Sequence, residues 1–168
     1  MADLFRLATQ FLHVFAGVLW IGGGFYTLLV QLPALLAAPP AARGPVTAQL
    51  APRQIRYILR IAEVTIFSGV LNLIATGRAQ QLLDPLSSRW SIVLGLGILL
   101  AIGLYVLVRA TAVPWTLRLL TLGPQASAGD AAAAAEVGQI IERLKMIGRV
   151  QLAMGTLIIF AMVTARLS

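Results

Sequence analysis

Apolar positions run along this chain in four long blocks, not in the narrow stripes of water-soluble helices. No Asp, Glu, Lys or Arg occurs from Leu7 to Ala42. About 20 apolar residues cross a bilayer as a helix, and the pattern predicts a first span over 7–36. A second span, 58–76, contains one carboxylate, Glu63. The third, 90–108, carries no charge. The fourth, 150–165, is a short uncharged block between Arg149 and Arg166, whose long side chains can reach the interface. In lipid each span must satisfy its own backbone, so all four are expected to be helices.

The connections are read from Pro, Gly and capping residues. Pro33 and Pro39-Pro40 are expected to end the first helix, and Ala37 to Pro52 to form a loop. Gln80 to Arg89 reads as a short turn around Asp84-Pro85. Gly123-Pro124 reads as a break. Asp130 then reads as the N-cap of an Ala-rich helix over 130–149 that continues into the fourth span. No internal repeat is visible. The expected fold is all-α: an integral membrane four-helix bundle, one transmembrane domain over 1–168. The stretch Met1 to Arg6 has no basic signal-peptide front and no clear cleavage site, so the first apolar block is expected to stay as an anchor.

Composition supports the membrane class. Of 168 residues, 59% are hydrophobic and 11% charged, against about 25% charged in soluble domains. The absence of cysteine excludes disulfides, thiolate metal sites and thiol catalysis. A net charge of +7 could suggest nucleic acid. The basic residues flank apolar blocks, however, which points to the bilayer and its anionic headgroups and not to nucleic acid. With four spans, Arg6, Arg78, Arg89 and Arg166 share one side. Arg43, Arg53, Arg56, Arg60, Arg109, Arg118, Arg143, Lys145 and Arg149 share the other. The richer side is expected in the cytoplasm, with the extension of the fourth helix, and both termini outside.

Candidate chemistry starts with His13, the only histidine, inside the first span. An imidazole facing hydrocarbon is costly, so it is expected to face the bundle interior with a partner. Asn72 and Met162 are placed at a similar depth by the helical rise of about 1.5 Å per residue. One reading is a structural hydrogen bond from His13 to Asn72 or to a carbonyl. The other is an axial ligand for haem b, with Arg6, Arg78, Arg89 and Arg166 near enough to pair with propionates. A second polar layer holds Arg60, Glu63, Arg109, Arg149 and Gln151. It reads either as an ion-pair cluster that fixes helix packing, with Arg60 one turn from Glu63, or as a proton path or anion site. The glycines read as close-packing positions between helices. Gly22-Gly23-Gly24 lacks the strand–loop–helix setting of a phosphate loop.

The run Leu12-His13, Trp20-Ile21-Gly22-Gly23 and Phe25-Tyr26 resembles the first helix of a group of small bacterial membrane proteins. The group comprises the copper-resistance D (CopD-like) domain, the membrane domain of bacterial urate oxidases (PuuD) and HemJ-type protoporphyrinogen oxidases. Arg149, Gln151, Leu152 and Gly155 look like the closing helix of CopD-like proteins. The motif covers about fifteen residues, and the four-span layout extends the likeness over the chain. The resemblance implies a multi-pass protein of a bacterial inner membrane, with His13 an axial ligand of haem b and Trp20 beside the cofactor. The third span is wholly apolar from Ile92 to Leu99, where HemJ-type enzymes carry a basic residue.

Together these features lead to an expected haem b protein engaged in electron transfer or in handling a small redox ligand, a homodimer or part of a larger membrane complex with a redox partner. Two alternatives stand beside it. One is a cofactor-free structural or accessory subunit. The other is CopD-like copper transport. No nucleophile–base pair marks an enzyme.

Overall fold

The computed structural model describes residues 2–84 and 86–167, and every regular element among them is helical. Four long helices carry the fold: α1 (Asp3–Ala37), α2 (Pro40–Ala75), α3 (Arg89–Ser127) and α4 (Ala131–Leu167). Each is long and apolar enough to cross a membrane, the architecture of a multi-pass membrane protein. At 1.5 Å per residue they run roughly 50–60 Å, well beyond a hydrocarbon core of about 30 Å. One part of each helix must therefore leave the core.

The helices form two antiparallel hairpins. His13 on α1 lies against Thr65 and Gly69 near the far end of α2. Gly97 on α3 lies against Ala161 and Met162 on α4. The hairpins close a ring, because Ile21 and Leu28 of α1 pack on Gly155 and Gly148 of α4, and Glu63 of α2 meets Tyr105 of α3. The start of α1 and the end of α4 therefore lie at one end of the bundle, here the terminal end. The two connections, at Ala38-Pro39 and at 128–130, lie at the other, the hairpin end.

Local chemistry explains the helix limits. Gly77 takes a φ of +69° after α2. Arg78 N–H then bonds the Leu73 carbonyl and Gly77 N–H that of Ile74, a glycine-centred cap that satisfies the last carbonyls. Ser88 caps α3 by accepting from Ser91 N–H at 3.1 Å. The same glycine cap recurs at Gly129, φ +94°. Asp130 directly follows and caps α4, its carboxylate accepting from the N–H groups of Ala132 and Ala133.

Three expectations about the connections are corrected. The first helix runs through Pro33 and ends at Ala37, just before Pro39-Pro40. The segment 40–52 is helix and not loop, with Pro40 in its first turn and Pro45 and Pro52 inside it. Thr47, Leu50, Ala51, Gln54, Ile55 and Ile58 recur at helical spacing on one wall of the bundle, and that packing outweighs the lost hydrogen bonds. The third helix runs through Gly123-Pro124 to Ser127, held by Leu122 in a core with Ala133 and Ile140. It therefore extends far beyond its span at 108. Pro85, expected in the α2–α3 turn, and Met1 of the N-terminal stretch lie outside the described residues; the turn itself contains a short helical segment, Ala79–Leu83.

Two π turns interrupt the long helices, at Thr27–Gln31 in α1 and Val108–Ala112 in α3. Each is followed two positions later by a proline, Pro33 and Pro114. A proline within a helix lacks the N–H and crowds the carbonyl one turn back. Widening the preceding turn relieves that crowding. Thus Leu32 N–H bonds Thr27 and Val113 N–H bonds Val108, one residue further back than in an α-helix.

Trp20, Ala62, Leu104 and Ile158, one from each helix, form the central core. Toward the terminal end the interior is filled by small groups: Ala16, Ser68, Ser91, Gly97, Ala161 and Ala165 are all buried.

Candidate functional site: a chamber beside the π turns

Beyond Trp20, toward the hairpin end, the four helices part around a chamber of about 220 Å³. Its wall includes Gly24 of α1, Ile55 of α2, Leu104 of α3 and Gly155 of α4. Both π turns contribute: Thr27, Leu28 and Gln31 on one side, Val108 and Ala112 on the other. Glycine makes part of the room. A Cβ placed on Gly24 would meet nothing within 4 Å. The lining contains no Asp, Glu, Lys, Arg or His; its polar groups are Thr27, Gln31, Thr47, Gln54, Thr116 and Gln151. Such a lining suits an uncharged, largely apolar body, with a few groups able to hydrogen-bond it.

The polar side of the chamber is ordered. Gln31 Nε2 donates to Gln54 Oε1 at 2.8 Å, and Gln54 Nε2 donates back to Gln31 Oε1 at 3.3 Å. Gln54 Nε2 also donates to Thr27 Oγ1, whose own hydroxyl donates to the Gly23 carbonyl at 2.8 Å. This network ties α1 to α2 through side chains alone. Sequence reasoning did not single out Thr27, Gln31 or Gln54. The available signal was a polar residue, Gln31, within an uncharged block, and Gln54 at helical spacing from Thr47 and Ile58.

His13 lies elsewhere, at the level of the tight terminal half. Its Nδ1 is 2.9 Å from the Thr65 carbonyl oxygen. A carbonyl only accepts, so Nδ1 is the donor and the neutral ring would carry its lone pair on Nε2. The partner is a carbonyl and not Asn72. The amide oxygen of Asn72 is buried with no hydrogen-bond partner. The ring also rests on Gly69, where a Cβ would come within 2.8 Å of Cε1.

A ring tied by Nδ1–H to a carbonyl is the usual state of a metal-binding imidazole. The chamber wall does not include His13, whose ring is packed on Gly69 of α2. Trp20 is buried in the central core and faces the chamber. Met162 packs on Gly97. Arg78 stacks over Trp90 at 5.3 Å, and Arg89 and Arg166 are exposed at the terminal end. For copper, no three His, Cys, Asp or Glu side chains converge among the described residues.

The second polar layer divides. Arg60 pairs with Glu63 at 3.2 Å, and Tyr105 donates its hydroxyl to the same carboxylate at 3.1 Å. Arg109 stands one turn beyond Tyr105 on α3. Gln151 belongs to the chamber wall instead, and Arg149 is exposed. Tyr105 was not anticipated, because its role depends on the α2–α3 contact.

Comparison with family models, with curated proteins and with solved structures finds no match to this chain.

Proposed function

We propose that this multi-pass membrane protein binds a lipid-soluble molecule in the chamber between its four helices. The chamber carries the reading: it is uncharged, and it is walled by two proline-linked π turns. Such turns cost regular hydrogen bonding and recur at functional sites. The basic hairpin end belongs in the cytoplasm by the positive-inside rule, with both termini outside the bacterial inner membrane. That orientation sets the chamber at the cytoplasmic interface, beside Arg53, Arg56 and Arg60.

The test fills the space. Gly24→Leu adds a side chain where none is opposed. Small molecules extracted from the purified protein by organic solvent, or retained in native mass spectrometry, are expected from the parent protein and lost from the folded variant. Equal recovery from both places the ligand elsewhere.

A second reading keeps His13 as an axial ligand of haem b in an electron-transfer protein. The observation that favours it is the Nδ1 bond to the Thr65 carbonyl, which leaves Nε2 free to bind iron. Haem would supply reversible one-electron chemistry. Its test is the oxidised and dithionite-reduced spectrum with pyridine haemochrome quantification, in the parent and in His13→Ala. About one haem per chain, lost in the variant, supports it; a haem-free protein expressed with ample haem, or full retention in the variant, overturns it.

A further inference from the structure

We propose that the chamber's ligand is a single-chain anionic amphiphile that enters sideways between α1 and α2 and leaves its head on Arg53. The inference rests on the chamber being the binding site and adds the ligand's class and route.

A groove of about 270 Å³ lies on the α1–α2 seam, bordered by Tyr26, Arg53 and Tyr57. Groove and chamber share five wall residues: Thr27, Gln31, Leu50, Gln54 and Ile58. The shared wall is therefore the Gln31–Gln54–Thr27 network together with Leu50 and Ile58. It is a septum of side chains with the groove on one side and the chamber on the other. Opening it requires rotation of these side chains, the two amides among them, and breaks no described main-chain bond between the helices. The backbone on the α1 side is a π turn, a locally weakened stretch.

Charge selects the ligand. Neither space is lined by Asp or Glu. The described hydrogen bonds of Arg53 go to the backbone carbonyl and side-chain oxygen of Gln49, both neutral. A cation at the mouth of an apolar path favours a carboxylate or phosphate head. The exposed tyrosines Tyr26 and Tyr57 suit the headgroup level, where aromatic residues with a polar tip collect. Inside, the amides and hydroxyls of the septum meet the start of the chain, and the apolar wall takes the rest. The chamber lies below the usual range for drug-sized sites, roughly 300–1,000 Å³, which favours one chain over two.

Trp20, in the chamber wall, is a built-in reporter. With Trp90→Phe and Trp115→Phe it is the only indole, and 9,10-dibromostearate and the matching dibromostearyl alcohol are quenchers of its fluorescence. In the full-length protein in nanodiscs, saturable quenching by both is expected, with the acid tighter. Arg53→Gln is expected to weaken the acid about tenfold, the equivalent of one charge-assisted contact, and to leave the alcohol unchanged. Gly24→Leu is expected to abolish saturable quenching by either. If Arg53→Gln affects acid and alcohol alike, or if only the alcohol quenches, the anionic-head proposal falls and the chamber reading stands. If neither quenches saturably, both fall.

Discussion

His13 is held by the backbone of another helix: its Nδ1 donates to the carbonyl oxygen of Thr65 at 2.9 Å while its ring rests on the bare Cα of Gly69. An added methyl at Gly69 would lie 2.8 Å from ring Cε1 and 3.0 Å from Nδ1. Gly69→Ala gains up to about 1 kcal/mol of helix propensity but overpacks the contact at about 1–3 kcal/mol, and it displaces the Thr65 bond. The expected outcome is a lower melting point in detergent. In a His13→Ala background the same change should be neutral or stabilising. A raised melting point with His13 present would show that the ring has room to move.

The contact between Gly148 and Leu28 is tighter still, with Leu28 Cδ1 2.6 Å from where a Cβ would stand. Gly148→Ala should cost about 1–3 kcal/mol. Leu28→Ala removes the clashing atoms, so adding Gly148→Ala to that variant should cost nothing further. Chemical unfolding of the four proteins measures the coupling; additive effects would contradict the contact.

The π turn at Val108–Ala112 amounts to one extra residue in α3. Deleting a residue from a regular helix rotates everything beyond it by about 100°. Deleting Ala110 should instead restore plain α-helix and keep both Leu104 and Leu122 facing their cores. The expected result is a folded, monodisperse protein with weakened chamber binding. Deleting Ala101, in the regular part of α3, should prevent folding. Size-exclusion and melting profiles decide; equal failure of the two deletions would show that the turn does not absorb the change.

Arg118 and Glu136 join α3 to α4 beyond the uncharged spans, at 2.8 and 3.1 Å. The guanidinium holds the Glu136 carboxyl below its ordinary range. A lowered folded-state value means that the pair stabilises the hairpin above the ordinary carboxylate pKa, about 4.3, and that the contribution fades as pH falls through the folded value. Hydrogen exchange over 113–149 should show Glu136→Gln slightly less protected than the parent at pH 7, with the difference closing in acid. A difference that widens in acid would contradict the sign. Because the pair is exposed, the effect should be small and should shrink in high salt.

Much of this protein is written locally. Uncharged blocks imply membrane-crossing helices because lipid offers backbone groups no partner. Asp130 could be read as a cap because capping depends on residues two and three places away. Arg60 and Glu63 could be paired because one helical turn brings them together. Several prolines misled, because Pro33, Pro45, Pro52 and Pro124 fall at expected breaks or in the expected loop by local rules, and all lie in helix here. Neighbouring helices supply the burial that outweighs their missing hydrogen bonds. The chamber was not legible for the opposite reason. It is an absence of atoms between four helices, walled in part by both π turns. Gln31 and Gln54 stand 23 positions apart, and no periodicity links them. Their pairing, like that of His13 with Thr65, depends on how α1 is rotated against α2, and packing of the whole bundle sets that rotation.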